Sequence, residues 1–242
     1  MNDMKTIDWN KAIDTALTVK GSLGDTYNRF YNYSYTNQIL LLMQGVNEPV
    51  ATYDKWRKLK RQVTKHSKGK YIIKPVFYKN DEEDEELAGF KLIKCLFTLS
   101  DTTGEELPTT TIPEFNLEKA LKELKIEEIK FNHLNGNIQG YSKNNQFAIN
   151  PLAVSPVKTT FHELAHIVLG HTKGVNSDHK GLKEFQAEIT AYLIMKELKI
   201  PFKEEVSRAY IQDWLNGEKP EVKAIKDVFR AVSKILTAGR KE

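Results

Sequence analysis

Residues 159–170, TTFHELAHIVLG, contain the pattern H-E-x-x-H within an apolar run. His162 and His166 are four positions apart, so both imidazoles lie on the same face of an α-helix. Imidazoles placed in this way can bind a single metal ion, at about 2.0–2.1 Å if the ion is zinc. Glu163 follows the first histidine, where its carboxylate can act as a general base towards a water beside the ion. The segment therefore predicts a zinc peptidase-type site on a helix.

The residues around the histidines predict that this helix is buried. The apolar positions are Leu164, Ala165, Ile167, Val168 and Leu169. Thr159 or Thr160 is the expected N-cap, and Gly170 is the expected stop. The alternative is a pair of core histidines that form hydrogen bonds with their neighbours. Burying such polar groups without a shared role would cost free energy, so we favour a metal site.

A zinc site with an open position needs a third protein ligand. A histidine at the spacing H-E-x-x-H-x-x-G-x-x-H is excluded, because Leu169 and Thr172 occupy those two positions. His179 remains possible, although the residues around it are polar and indicate a loop. The candidates for the third ligand are therefore His179 and the carboxylates further along the chain.

The next predicted helix, residues 181–195, carries Glu184 and Glu188 on one face. One carboxylate can ligate the ion, while the other orients a ligand imidazole through its second ring nitrogen. These residues leave open which glutamate is the ligand. The alternative is an exposed glutamate pair on an amphipathic helix.

Length and composition indicate a globular protein of one large or two ordinary domains, since the chain has 242 residues. No apolar run reaches the length of a membrane span, and the polar N-terminus does not resemble a signal peptide. A single cysteine, Cys95, excludes an internal disulfide. These features lead us to expect a cytoplasmic protein without a membrane partner.

The first half of the chain combines cations with aromatic residues. Residues 8–44 predict two helices, the second capped by Ser34, with a high density of tyrosine between them. Residues 55–79, here called the cation-rich segment, contain ten Lys or Arg residues and no acid. Cations interleaved with rings suit single-stranded nucleic acid, because charges follow the backbone and rings stack on bases. The alternatives are a solvated charged face and aromatic residues packed in a core.

The remaining pattern predicts an α+β protein of two domains. In the first, helices accompany a small antiparallel sheet with strands at residues 71–78 and 88–99, joined by the acidic run 81–86. A Thr- and Pro-rich linker separates domains at residues 1–107 and 115–242. The second domain is expected to hold a helix at 117–124, capped by Asn116, and short strands between 128 and 150. The H-E-x-x-H helix follows, and further helices are expected at 203–215 and 220–237.

With these motifs, the chain resembles the ArdC-type antirestriction proteins of plasmids and integrative elements. The resemblance rests on residues 33–41 (YSYTNQILL), 51–56 (ATYDKW), 61–70, 73–75 (IKP), 89–91 (GFK) and 101–108, and on HELAH and EFQAE in the second half. Such proteins pair a domain that binds single-stranded DNA with a zincin-like metallopeptidase domain. The resemblance favours Glu184 as the third ligand, with Glu188 in the outer role.

The resemblance also implies which residues contact DNA in the first domain. They are Tyr35, Asn37, Gln38, Trp56, Lys60, Arg61, Lys65, Lys68, Lys70 and Lys74. The family tends to have glycine at the positions of Lys60 and His66, which leads us to expect a differently shaped loop. The second half is equally similar to the ImmA- and IrrE-like metallopeptidases, which cleave a repressor. A DNA-protecting protein with structural zinc is a further alternative.

Overall fold

The structure is a computed structural model that describes residues 6–19, 33–79, 85–107, 113–132, 138–173, 180–205, 207, 211 and 220–240. The chain divides into two compact units, Met1–Thr15 with Leu23–Ile112 and Ala16–Ser22 with Pro113–Glu242. Helices and short strands occur in both, so the predicted α+β class is confirmed. The bounds 1–107 and 115–242 stay predictions about separate domains. Within the described ranges, we find no helix with the length and hydropathy that a membrane crossing requires.

The first unit is built from three helices and five strands among its described residues. In chain order these are α1 (Trp9–Thr18, whose last residues group with the second unit), α2 (Tyr35–Met43), β1 (Val50–Thr52), α3 (Tyr53–Lys58), β2 (Arg61–Val63), β3 (Lys70–Lys79), β4 (Glu85–Thr98), a 3-10 turn (Leu99–Asp101) and β5 (Thr102–Gly104). One antiparallel sheet has the order β1-β4-β3, and β2 pairs with β5. The two long strands predicted around residues 71–78 and 88–99 are therefore present.

Helix α2 begins at the predicted cap, and amide side chains in and after it form hydrogen bonds with the edge of β3 that does not pair with β4. The Ser34 hydroxyl accepts a hydrogen bond of 3.3 Å from the backbone N–H of Asn37. The Asn37 amide then pairs with the backbone of Ile73, donating to its oxygen at 3.0 Å and accepting from its nitrogen at 2.8 Å. Gln44 pairs in the same way with Tyr71. These amides satisfy backbone groups that a neighbouring strand would otherwise bind.

The turn region around β2 has a backbone that favours glycine. Lys60 and His66 have φ angles of +56° and +71°, in the left-handed region. Side chains with a Cβ adopt this region at a cost of about 1–2 kcal/mol. The backbone is therefore strained at Lys60 and His66, as it is at Lys125, Asn144 and Lys199.

The second unit places one buried helix between its neighbours. Its elements are α4 (Leu117–Leu124), β6 (Glu127–Glu128), β7 (Gly140–Lys143), β8 (Gln146–Ile149), α5 (Pro156–Val168), α6 (Lys180–Glu197) and α7 (Val222–Arg240). The sheet order is β6-β8-β7, with β6 parallel and β7 antiparallel to β8. Residues 185–197 of α6 are all buried, and α6 packs against α5 and α7. The predicted Asn116 cap is present, and its side-chain oxygen accepts a hydrogen bond of 2.9 Å from the backbone N–H of Lys119.

The helix that carries H-E-x-x-H begins earlier than its sequence predicts. Its first residue is Pro156 and its N-cap is Ser155, so the expected cap at Thr159 or Thr160 is wrong. Proline at the first position favours helix initiation, because its φ is already helical and it lacks an N–H. The threonine hydroxyls instead donate to the oxygens of Ser155 and Pro156, each at 3.0 Å. Gly170, with φ +80°, follows the end of the helix as predicted.

Several predicted features lie wholly or largely outside the described residues. They are the tyrosine-rich stretch before Tyr33, the acidic residues 81–84, His179 and most of the predicted helix 203–215. Of the acidic run, Glu85 and Glu86 belong to β4. Cys95 lies in β4 and is half-buried, so the predicted strand is correct but the cysteine is not fully in the core.

Candidate functional site

Three side chains from two adjacent helices converge in the second unit. On α5, the Nε2 atoms of His162 and His166 are 3.1 Å apart. From α6, the Glu184 carboxylate lies 3.3 Å from His162 Nε2 and 3.7 Å from His166 Nε2. One ligand atom from each residue lies within 4.8 Å of the others. Among the predicted ligands, these are the three that come together.

The spacing of these atoms fits a divalent cation. For ligand bonds of about 2.0–2.1 Å, a tetrahedral arrangement separates neighbouring ligand atoms by roughly 3.3–3.4 Å. His162 Nε2 lies 3.1 Å from His166 Nε2 and 3.3 Å from Glu184 Oε2, close to that value, while His166 Nε2 lies 3.7 Å from the other oxygen, Oε1. Two imidazole nitrogens and one carboxylate oxygen are also a donor set that leaves a fourth position for water in catalytic zinc sites.

Glu188 lies on the other side of His162, away from the three converging atoms. Its carboxylate is 3.5 Å from His162 Nδ1 and forms an ion pair of 2.5 Å with Lys158 Nζ. Only 3% of Glu188 is exposed, so its charge is held by these partners rather than by water. A carboxylate on the second ring nitrogen fixes the orientation and tautomer of a ligand imidazole. Sequence reasoning missed Lys158, although its spacing of four residues before His162 was visible.

Electrostatics in the cluster favour charged carboxylates and a protonated imidazole. Burial by itself lowers the pKa of His162, but hydrogen bonds with Glu184 and then Glu188 raise that pKa to about 9. Hydrogen bonds from His162 and His166 hold the pKa of Glu184 well below its usual range. Burial opposes the same effect at Glu188, whose pKa is lowered by His162 and Lys158. The cluster therefore keeps its carboxylates negatively charged, which favours the binding of a cation.

The second ring nitrogen of His166 faces another histidine, His171, which lies one position before the one that the excluded H-E-x-x-H-x-x-G-x-x-H spacing requires. His166 Nδ1 lies 3.0 Å from His171 Nδ1, and His171 Nε2 lies 3.1 Å from Gln186 Oε1. Gln186 belongs to α6 and is 3% exposed. His171 follows the end of α5, where the chain turns back and the spacing rule for a helix no longer applies. Sequence spacing therefore gave no signal for this contact.

The cluster opens into a cleft of about 1030 Å³ within the second unit. Glu163, 7% exposed, lines the cleft beside the two ligand histidines. Residues 138–142 also line the cleft and include most of β7, the outermost strand of its sheet among the described strands. Tyr141 is one of these residues, and its ring also packs against Phe131 at 5.8 Å. The cleft therefore brings Glu163 and the three converging side chains beside an outer strand of the described sheet.

In the first unit, the structure separates the residues predicted to contact DNA into buried and exposed groups. Tyr35, Asn37, Gln38 and Trp56 are 4%, 8%, 7% and 1% exposed. The Asn37 amide forms hydrogen bonds with the backbone of β3. Gln38 donates to Tyr33 O at 2.8 Å, and the Trp56 indole donates to Phe97 O at 2.9 Å. Their side chains stabilise the fold, and their DNA contacts stay predictions.

Arg61 is also engaged within the fold, although part of its side chain reaches solvent. Its guanidinium donates to Thr102 Oγ1 at 2.9 Å, to Thr102 O at 3.1 Å and to Gly104 O at 3.2 Å. A further hydrogen bond reaches Glu105 O. Arg61 therefore holds β2 against β5 and the residue that follows.

The lysines of the cation-rich segment remain at the surface. Lys65 and Lys68 are exposed, and Lys70 and Lys74 are half-buried. Lys60 is exposed and forms an ion pair with Glu105 at 3.2 Å. The exposed members can contact a phosphate backbone without any change in the fold.

Together, fold and site define an α+β protein with a candidate metal centre on an H-E-x-x-H helix. Residues 1–117 match the family described as the N-terminal domain of anti-restriction factor ArdC. The first part of the chain therefore carries an ArdC-type N-terminal domain, and the ArdC resemblance predicted from the sequence is confirmed there. Similarity of the second half to ImmA-like proteins stays a prediction.

Two crystal structures of the antirestriction ArdC protein from the R388 plasmid share this fold. The metal-free structure is 19% identical, has a TM-score of 0.50, and covers 97% of this chain and 96% of its own. The Mn(II)-bound structure is 17% identical, has a TM-score of 0.53, and covers 98% and 99%. A search of curated proteins found no significant match.

Proposed function

We propose that this chain is an antirestriction protein of a mobile element that binds single-stranded DNA and holds zinc at a peptidase-type centre. The observation that carries the proposal is the convergence of His162, His166 and Glu184 beside Glu163 in an open cleft. The ArdC family match supports the antirestriction role. A Mn(II)-bound ArdC of R388 supports a divalent cation, and imidazole donors favour zinc over manganese.

In this proposal, His162, His166 and Glu184 hold the cation, and Glu188 holds His162 in place. The cation, when bound, supplies a Lewis acid that polarises a carbonyl and lowers the pKa of a water. Glu163 accepts the proton of that water at its carboxylate and passes it to the leaving amine. Lys158 keeps Glu188 charged, because its ammonium lies 2.5 Å from that carboxylate.

A peptide is the substrate class that the shape of the cleft favours. Strand β7 forms part of one wall and is the outermost described strand of its sheet, the kind of strand beside which an extended peptide binds. Pairing would carry a peptide carbonyl past Glu163 without requiring a particular side chain.

The DNA-binding part of the proposal rests on the exposed lysines of the cation-rich segment. Lys65 and Lys68 stand at the surface of a turn, with Lys55, Arg57 and Lys58 exposed on the preceding helix. Such charges bind phosphates independently of sequence and release counterions. Single-stranded DNA, rather than a duplex, is proposed because the family pattern implies it.

Glu163→Gln is the experiment that tests the chemistry. Hydrolysis of a quenched-fluorescent peptide library by the zinc-loaded chain is expected to fall by about 10²–10⁴-fold, the usual contribution of a general base. Zinc content and single-stranded DNA affinity should not change, since neither the ligands nor the lysines are altered. Anomalous scattering at the zinc edge, measured on crystals of the wild-type chain, identifies the cation and its ligands.

Protection of DNA from restriction in cells distinguishes this function from a non-enzymatic shield. If Glu163→Gln protects as well as the wild type, the peptidase chemistry is not the antirestriction function. Incubation with regulators encoded beside the chain, with and without a chelator, addresses the ImmA-like alternative. A metal-dependent cut in one of them would favour repressor cleavage.

A further inference from the structure

The two ligand imidazoles are supported in different ways. His162 has a carboxylate at its second nitrogen, with Glu188 Oε2 at 3.5 Å from Nδ1. The partner of His166 is a second imidazole instead of a carboxylate. His171 Nδ1 lies 3.0 Å from His166 Nδ1, and Gln186 Oε1 lies 3.1 Å from His171 Nε2. The difference matters because a neutral imidazole has two tautomers, and only one of them can ligate through Nε2.

The direction of these hydrogen bonds follows from the chemistry of the last partner, Gln186. The Gln186 oxygen can only accept, so His171 must carry its proton on Nε2 and donate it to Gln186. Neutral His171 then has a bare Nδ1, which accepts from Nδ1–H of His166. His166 is left with an unprotonated Nε2, facing His162 and Glu184.

The opposite arrangement would disable the ligand. If the Gln186 amide donated to His171 Nε2, His171 would carry its proton on Nδ1 and donate it to His166. His166 would then hold its proton on Nε2, the atom that has to bind the cation. One buried amide therefore selects between a ligating and a non-ligating imidazole.

We propose that His171 and Gln186 are positioning residues of the metal centre, which hold His166 in the tautomer that binds a cation through Nε2. The inference rests on the proposed metal site. Both ligand imidazoles would then be held at their second nitrogen. His171 comes from the turn after α5, and Gln186 lies between Glu184 and Glu188 on α6. It also explains why a polar glutamine occupies a buried position of α6.

The test measures zinc affinity of the full chain by competition with a chromophoric chelator. His171→Phe keeps a planar ring without nitrogen, and its zinc affinity should fall by about 10–100-fold, as for other outer partners of ligand histidines. Gln186→Met removes the acceptor and should cost about tenfold. Gln146→Met, an exposed glutamine on β8, is the matched control and should leave zinc affinity unchanged.

Gln186→Glu tests the direction of the hydrogen bonds that join Gln186, His171 and His166. A carboxylate can only accept, so this variant should bind zinc within about threefold of the wild type or more tightly. If Gln186→Glu loses as much affinity as Gln186→Met, the amide acts as a donor and the proposal is wrong. A wild-type affinity in His171→Phe would overturn it as well.

Nitrogen-15 NMR of the wild-type chain supplies a readout that does not depend on any variant folding. In the zinc-loaded protein, His171 should show the Nε2–H tautomer and His166 the Nδ1–H tautomer. The reverse tautomer at His171 would reject the proposal. A wild-type chain that binds no zinc would instead reject the proposed metal site, so the two failures are distinguishable.

Discussion

The metal-type cluster and the cation-rich segment were both expected to bind ligands, but they are built differently. The cluster takes its donors from positions four apart on α5 and from the adjacent helix α6. The cation-rich segment distributes its residues over a helix, a turn and two strands, which point them to different environments. Trp56 and Arg61 are drawn into the fold, while Lys65 and Lys68 stay exposed. Periodicity on one helix places side chains together, whereas composition alone does not.

Replacing the two glutamates of α6 in turn should produce the largest effects and tests the asymmetry of the cluster. Glu184→Ala removes a donor atom, so zinc affinity should fall by more than about 100-fold. Glu188→Ala removes only the partner of His162 Nδ1 and should cost about 10–100-fold. Zinc titration against a competing chelator measures both, with Glu118→Ala on α4 as the exposed control. The reverse order would make Glu188 the ligand.

In the first unit, Gly104→Ala should destabilise the pairing of β2 with β5. A Cβ at Gly104 would overlap the backbone oxygen of Lys60 and lie 2.8 Å from Cα of Arg61, and the φ angle is +144°. We expect the free energy of unfolding to fall by about 3 kcal/mol. Gly45→Ala is the matched control: its φ is +73° but no atom lies within 4 Å, so about 1 kcal/mol is expected.

Urea denaturation measures both glycine variants. Equal losses would mean that backbone conformation alone, rather than the close approach of Arg61 and its strand, accounts for Gly104. Arg61 would then be less firmly held than its hydrogen bonds indicate, and its predicted contact with DNA would gain support.

Trp56→Phe separates a fold-stabilising role from a stacking role. The variant loses the hydrogen bond to Phe97 O and leaves a small cavity at a side chain that is 1% exposed. The free energy of unfolding should fall by about 2 kcal/mol, with single-stranded DNA affinity unchanged. Tyr53→Phe, at a ring that is 43% exposed, should change stability by less than about 0.5 kcal/mol. If Trp56→Phe binds DNA more weakly while its free energy of unfolding is unchanged, the stacking hypothesis is supported.

The smallest effect is expected at the exposed lysines. Lys65→Ala with Lys68→Ala should reduce the slope of log Kd against log salt for an oligothymidine by about 1.4, or roughly 0.7 for each phosphate contact. The double variant Lys119→Ala with Lys122→Ala on α4 removes the same charge from the second unit and is the control. Equal slopes in the two double variants would place the DNA surface elsewhere.

For the candidate site, the H-E-x-x-H motif was sufficient to predict that His162, Glu163 and His166 lie together on one helix. Helical periodicity carries that information, because residues four apart share a face wherever the helix sits. The choice between Glu184 and Glu188 needed the packing of α6 on α5, which sets the first carboxylate at Nε2 and the second at Nδ1 of His162. His171 entered the site through a turn, where helical spacing does not apply, and Lys158 entered it through an ion pair with Glu188 of another helix.

For the fold, local signals such as the Ser34 and Asn116 caps, the long strands and the H-E-x-x-H helix were readable from neighbouring residues. Burial was not, because whether a polar or aromatic residue faces solvent depends on elements distant in the chain. Asn37 and Ile73 are 36 positions apart, and Trp56 and Phe97 are 41 apart. Short-range chemistry thus specified the metal-binding pattern, while long-range packing assigned the polar residues of the first unit to the interior or to the surface.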